Sequence, residues 1–135
     1  MSNATEPALF TADPALVVDR YIAVWREPDA APRRAAIAEL WTAEGVEFVD
    51  GRQFRGHEEL DARIANAYSE FVGSGKYSVA HADDVTVHHD IVMFTIQLVD
   101  NGDRQLAWAA RVFLLLDENA LIRADYQLTT KPLAG

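Results

Sequence analysis

The chain contains no cysteine, which removes disulfides and thiolate metal sites from consideration. It is also short of positive charge. Twelve Lys and Arg stand against 21 Asp and Glu, a formal net charge of −9. A polyanionic partner would need clustered basic residues, and the one adjacent basic pair, Arg33-Arg34, falls in a helical stretch where it reads as a solvated face. Long apolar runs are missing as well. Val112 to Leu116 is the longest, far too short to span a bilayer. The first residues have neither a basic start nor an apolar core, so no secretory signal is expected, and Met1-Ser2-Asn3-Ala4 reads as a disordered start. These absences predict a cytoplasmic protein that binds neither nucleic acid nor membrane.

What is present is an ordinary globular balance, half apolar and about a quarter charged, over 135 residues, enough for one core without staples. Residues 10–131 read as one domain, with 1–9 and 132–135 as flexible termini. Asp13-Pro14 has the chemistry of a helix start. Val17, Tyr21 and Trp25 then recur at helical spacing until Pro28 ends the run. Asp29 opens a second helix with Ala36, Ile37, Leu40 and Trp41 on its apolar face, broken by Gly45. Val46 to Asp50 has strand composition and Gly51 marks a turn. A third helix follows Gly56, with Leu60, Ile64, Ala67, Tyr68 and Phe71 as its stripe, closed by Gly73-Ser74-Gly75. Strands are expected from Tyr77 to Val87, Ile91 to Val99, Gln105 to Leu116 and Leu121 to Thr130. Asn101-Gly102 is the clearest hairpin signal, since both residues tolerate positive φ. Helices followed by a meander predict an α+β fold.

Several strings in this order resemble the NTF2-like superfamily, in particular its SnoaL-like, polyketide-cyclase-like and ketosteroid-isomerase-like branch. They are Arg20-Tyr21-Ile22 with Trp25, Pro28-Asp29, Leu40-Trp41 leading into Val46 to Asp50, Gly56-His57-Glu58-Glu59-Leu60, His88-His89-Asp90 before Phe94, and Leu121-Ile122-Arg123. The likeness spans about residues 14–130. It implies a cone, in which three N-terminal helices close a strongly curved mixed or antiparallel sheet around a small-molecule pocket. It also implies dimers formed through the outer sheet face. Members of such a family include isomerases, cyclases, dehydratases and non-catalytic binders, so the fold alone assigns no reaction.

Strand alternation puts Val46, Phe48 and Asp50 on one face. If Phe48 faces the core, Asp50 lies at the rim of the interior, where desolvation would suit it to general-base work; equally, it could just open the Asp50-Gly51 turn. The resemblance places Asp50 at the base position of ketosteroid-isomerase-like members and Tyr21 at their oxyanion-stabilising tyrosine. It also exposes departures. The isomerase's second acid maps near Val112, which cannot donate a hydrogen bond, and the cyclase acid maps to Gln127, which can orient a carbonyl but not shuttle a proton. Asp125, two residues earlier on the same face, reads as a substitute acid or as an exposed edge carboxylate. Trp25, Phe48, Phe54, Tyr68, Trp108, Asp125 and Gln127 are the candidate substrate contacts. Trp108, set among Ala107, Ala109 and Ala110, leaves room for a ligand or for close packing.

The histidines offer no metal motif, and His88 and His89, adjacent in a strand, would point to opposite faces. One of them, His89 by its phase with Val85 and Val87, is expected at the pocket mouth as an acid or base. His57 reads as a solvated helix end or an entrance wall. Arg111, sharing a strand face with Phe113 and Leu115, suggests a salt bridge across a dimer face or a carboxylate-binding group. No nucleophile motif is present. Three functions remain open. One is a cofactor-free acid–base enzyme acting on a small apolar carbonyl compound, with Asp50, Tyr21 and His89 as its catalytic residues. The others are a non-catalytic binder and an interaction module with a filled interior.

Overall fold

The computed structural model describes residues 13–134; the start expected over residues 1–9 lies outside them, as does residue 135. The Asp13 carboxylate accepts from the Ala15 amide at 3.0 Å, and Pro14 is the first residue of helix α1 (Pro14–Arg26). The side chain thereby takes one of the helix's unpaired amides, while proline loses nothing at a position without a partner. Val17, Val18, Tyr21, Ile22 and Trp25 are buried along it. At its far end the Arg26 guanidinium donates twice to the Val79 carbonyl, at 2.9 and 2.7 Å, tying the helix to the sheet.

Helix α2 (Ala30–Leu40) begins where expected, although the Asp29 side chain makes no capping bond. The expected solvated face holds for Arg34 but not for Arg33, which is 6% exposed. Arg33 Nε donates to Asp61 Oδ1 at 2.9 Å, and Arg34 Nε reaches Oδ2 at 3.1 Å. Burial of the Asp61 carboxyl is outweighed by hydrogen bonds and charge from the two arginines, so its pKa is lowered. A side chain that long leaves water only when its charge is met.

Gly45 does not break α2. The helix ends at Leu40, and Trp41 already begins strand β1 (Trp41–Val49). A Cβ on Gly45 would lie 2.8 Å from the Trp41 ring and 3.1 Å from the Ile122 carbonyl, so glycine is required there by close approach. The pairing of β1 shifts register between Trp41 and Val46. Asp50 and Gly51, at φ 49 and 78, turn the chain into a short strand that the sequence did not signal, β2 (Arg52–Arg55). Helix α3 (Gly56–Ala67) buries Leu60 and Ile64 and runs into a π-helical turn at Tyr68–Val72. His57 is neither a solvated end nor an entrance wall. Its Nε2 lies 3.1 and 2.9 Å from the Trp41 and Thr42 carbonyls, pinning the start of α3 to the α2–β1 junction.

The meander follows as β3 (Tyr77–His81), β4 (Thr86–His88), β5 (Ile91–Asp100), β6 (Leu106–Leu116) and β7 (Ile122–Lys131). Sheet order is β2-β1-β7-β6-β5-β3, with β4 also pairing with β5. Only the β1–β7 pair is parallel. The result is the expected α+β cone of three helices on one curved sheet. Val92, Phe94, Ile96 and Leu98 alternate inward on β5, as do Ala110, Val112, Leu114 and Leu116 on β6, and they meet Tyr21, Trp41, Leu60 and Ile64 in one core. The Asn101-Gly102 hairpin exists, but neither residue has positive φ. Arg104 does, at 63°, and Asp100 Oδ1 caps the turn through the Gly102 and Asp103 amides.

The strand expected over Tyr77 to Val87 is split. In the gap the Asp84 carboxylate accepts from the Thr95 amide (3.0 Å), the Thr95 hydroxyl (2.6 Å) and Arg111 Nη1 (2.8 Å), standing in for a missing ladder. Burial raises the pKa of Asp84, but these bonds and the arginine's charge outweigh it and lower the pKa overall. Asp84→Ala should therefore cost about 1–2 kcal/mol in urea unfolding. A lowered native pKa contributes stability above the unfolded value, so the wild-type advantage should shrink as pH falls below about 4.

Candidate functional site

A cavity of about 190 Å³ opens between α3 with its π-helical turn, the end of α1 and the inner face of β3, β5, β6 and β7. Trp25, Phe71, Val79, Ile96, Leu98 and Trp108 supply an apolar wall. The polar groups on it are few: Asp50, Arg63, Tyr68 and Gln127. Tyr68 is set by close packing, since a Cβ on Gly73 would fall 2.9 Å from its ring. A mostly apolar concavity with few placed polar groups is the common form of a small-molecule site.

Behind Gln127 lies a buried polar chain. The Tyr21 hydroxyl donates to Asp125 Oδ2 at 2.7 Å and accepts from Gln127 Nε2 at 2.8 Å. Asp125 and Glu47 are direct partners across the parallel β1–β7 pair, 0% and 1% exposed. Arg63 Nε donates to Glu47 Oε1 at 3.0 Å, and its guanidinium lies 5.1 Å over the Trp25 ring and 5.6 Å from that of Phe54. Among the described residues, Asp125 Oδ1 and Glu47 Oε2 have no partner, nor does Nε1 of Trp25 or of Trp41.

Burial and the charge of Glu47 push the Asp125 carboxyl well above its usual range, against the Tyr21 bond and the Arg63 charge. Burial raises Glu47 too, opposed by the charge and hydrogen bond of Arg63. Tyr21 is raised well above 10 by burial, by the charges of Asp125 and Glu47 and by its bond to Asp125; the Gln127 bond opposes them. One cation facing two buried carboxyls is balanced when one of them keeps its proton. Arg63 bonds Glu47 directly, so Asp125, whose Oδ1 has no partner among the described residues, is the one placed to carry that proton.

The positions expected from sequence sort clearly. Trp25, Asp50, Tyr68, Trp108 and Gln127 line the cavity. Tyr21 and Asp125 do not; they stand behind Gln127. Asp125 is no exposed edge group, because β7 is an interior strand with its inner face under α1. Phe48 was expected inward and lies outward, stacked on Tyr126 at 4.8 Å. Trp41, Glu47 and Val49 share the inward face of β1, so Glu47 and Val49 pair with inward Asp125 and Gln127 while Phe48, in the opposite phase, pairs with Tyr126. Asp50 reaches the cavity through its turn, exposed, with Thr129 Oγ1 donating to it at 3.3 Å.

Phe54 is half-buried beside Arg63 in a separate open groove. His89 is not at the mouth. It is exposed in the β4–β5 turn at φ 56, at the opposite end of β5 from Ile96 and Leu98. The same turn brings the His88 and His89 rings to 4.4 Å instead of setting them on opposite faces. No three His, Asp or Glu side chains cluster as a metal site among the described residues. Arg111 finds its carboxylate within the chain, at Asp84. Glu47 and Arg63 carry the interior and were missed; a lone glutamate inside Val46-Glu47-Phe48-Val49 was the available signal.

A carboxyl with a raised native pKa keeps its proton when folded and loses it when unfolded, so stability is lost as pH rises above the unfolded value, about 4. Asp125→Asn keeps an acceptor for Tyr21 and removes that ionisation. Its melting temperature relative to wild type should therefore rise from about pH 4 to about pH 7, as read by thermal denaturation.

In sequence, no family model matches the chain and no curated protein does either. Solved structures do match in fold. A candidate isomerase of the SnoaL-like family from Agrobacterium tumefaciens superposes with a TM-score of 0.76 at 19% identity, over 85% of this chain and 95% of that one. A candidate SnoaL-like polyketide cyclase from Jannaschia sp. gives 0.64 at 16%, over 90% and 91%. An NTF2-like protein of unknown function from Exiguobacterium sp. gives 0.62 at 12%, over 84% and 97%. The chain therefore has the NTF2-like fold.

Proposed function

We propose that the protein is a cofactor-free acid–base enzyme that enolises a small, largely apolar carbonyl compound. The observation that carries this reading is the cavity itself: apolar walls, a carboxylate at the mouth and a fixed cation inside. Asp50 takes the proton from the carbon beside the carbonyl. The enolate oxygen then faces Arg63, held by Glu47 and stacked on Trp25, so the cation needs no reorganisation as charge develops. Tyr21 acts through Gln127 and not on the substrate, a revision of the role expected from the sequence, and His89 has none. Proton transfer of this kind needs no cofactor.

A second reading, a non-catalytic binder, is favoured by one observation. The two buried carboxyls, Glu47 and Asp125, stand behind the wall and do not line it. The two readings separate in heavy water. With acetophenone as substrate, the protein should accelerate deuterium exchange at the methyl carbon, followed by NMR, and Asp50→Asn should slow it at least about a hundredfold. Binding without exchange would leave the binder.

The outer sheet face supports a homodimer. Tyr126 and Leu128 are 38% and 55% exposed there, next to Phe48 and the half-buried Phe113. Area of this kind asks for cover. Sedimentation should show a dimer at micromolar concentration, weakened by Leu128→Glu; a wild-type monomer would exclude it. A cytoplasmic location fits the sequence. Among the described residues, no helix is long and apolar enough to cross a membrane.

A further inference from the structure

The buried chain behind the cavity has a consequence for what the cavity reads. The Tyr21 hydroxyl has one proton. Its 2.7 Å contact is to Asp125 Oδ2, on the side of a carboxyl whose other oxygen is unpartnered. With that proton committed, the tyrosine oxygen can only accept, so the 2.8 Å contact from Gln127 must come from its amide nitrogen. A proton on Asp125 Oδ1 leaves this order intact, because Oδ2 still accepts. The glutamine is 2% exposed and lines the cavity, and its amide is held by Nε2. Its carbonyl, Oε1, has no donor among the described residues.

Arg63 presents the opposite polarity. Its Nε is taken by Glu47 and its ring-stacked plane is fixed by Trp25 and Phe54. Its Nη groups have no acceptor among the described residues, and the side chain lines the same cavity. Beside the exposed Asp50 and the Tyr68 hydroxyl, the polar part of the cavity thus combines donors on the Arg63 side with one fixed acceptor at Gln127. A plain ketone satisfies only the first. At about 190 Å³ the cavity is below the ~300–1,000 Å³ of drug-sized ligand sites, which limits the body of the ligand to about one ring.

We propose that the cavity is specific for a small apolar hydroxy-carbonyl compound, its carbonyl oxygen on Arg63 and its hydroxyl donating to Gln127 Oε1. Asp125 and Tyr21 are positioning residues that fix the direction of the Gln127 amide. This rests on the cavity being the binding site. A buried acceptor left unpaired by a ligand costs more than a missing apolar contact, so discrimination should be sharp for the hydroxyl.

The test is a calorimetric titration of the whole chain with three one-ring probes: acetophenone, α-hydroxyacetophenone and α-methoxyacetophenone. The methoxy compound keeps the size and removes the donor. The hydroxy compound should bind about tenfold tighter than either of the others. Gln127→Met, of similar length but with no acceptor, should level the three. Tyr21→Phe, which releases the amide, should shrink the preference with little change in acetophenone affinity, a result that mere loss of packing would not give. Should a variant fail to fold, the wild-type series still decides. Equal affinity for the hydroxy and methoxy probes would overturn the hydroxyl recognition and leave the pocket standing. Binding of none of them would remove the pocket reading itself, and the inference with it.

Discussion

Two carboxyls and one guanidinium, closed inside the cone, set the terms for the rest of this molecule. Glu47 and Asp125 face each other across the single parallel strand pair, and Arg63 arrives from α3 to meet the first of them. An unpaired buried charge would cost several kcal/mol, so each element that supplies a member is held to the others. The register of β1 on β7 is fixed, since a slip of β1 by one residue would turn Glu47 to the outer face while Asp125, held by the pairing of β7 with β6, stayed inward. Helix α3 is held at a set height on the sheet, and α1 must bring Tyr21 over Asp125. The apolar core surrounds this set and could tolerate many arrangements; the polar contacts within it specify one.

The same set reaches the cavity through two side chains only. Gln127 transmits the orientation of the Asp125–Tyr21 pair, and Arg63 transmits the anchoring of Glu47. Both are long side chains that would otherwise sample several rotamers. Each enters the pocket with its freedom already removed, which is the physical content of preorganisation. Asp50 contrasts with them. It sits exposed on a left-handed turn with one long hydrogen bond, free to move toward a ligand.

The element types and the cone were legible because period, caps and breakers agreed: Asp13-Pro14 started a helix, the stripe from Leu60 to Phe71 faced inward with Leu60 and Ile64 buried, and the meander followed. Failures came where local chemistry and tertiary contact differ. Gly45 looked like a helix breaker but is a close-approach glycine inside β1. Phe48 was read as inward because it is apolar, yet the inward face of the strand carries Glu47 and Val49. The Tyr77 to Val87 strand was expected whole because no sequence pattern reveals that the Asp84 carboxylate will replace a rung. Trp25, Tyr68 and Trp108 were found as cavity residues because large aromatics on the periodic face of a helix or among small residues in a strand stand out, and Gln127 and Asp50 because the resemblance marked their positions. Arg63 was not, since an arginine on a helix reads as solvated until a buried acid is known to wait for it.

The charge balance of the interior, one guanidinium against two buried carboxyls, requires Asp125 to keep a proton beside the Glu47 that Arg63 holds. Carbon NMR of the carboxyl groups, followed through a pH titration, reads this directly. The account predicts one aspartate carboxyl that retains the shift of the protonated acid at neutral pH and disappears from the spectrum in Asp125→Asn. If every aspartate in the wild-type protein titrates within the ordinary carboxylate range, the buried acid pair does not exist as described.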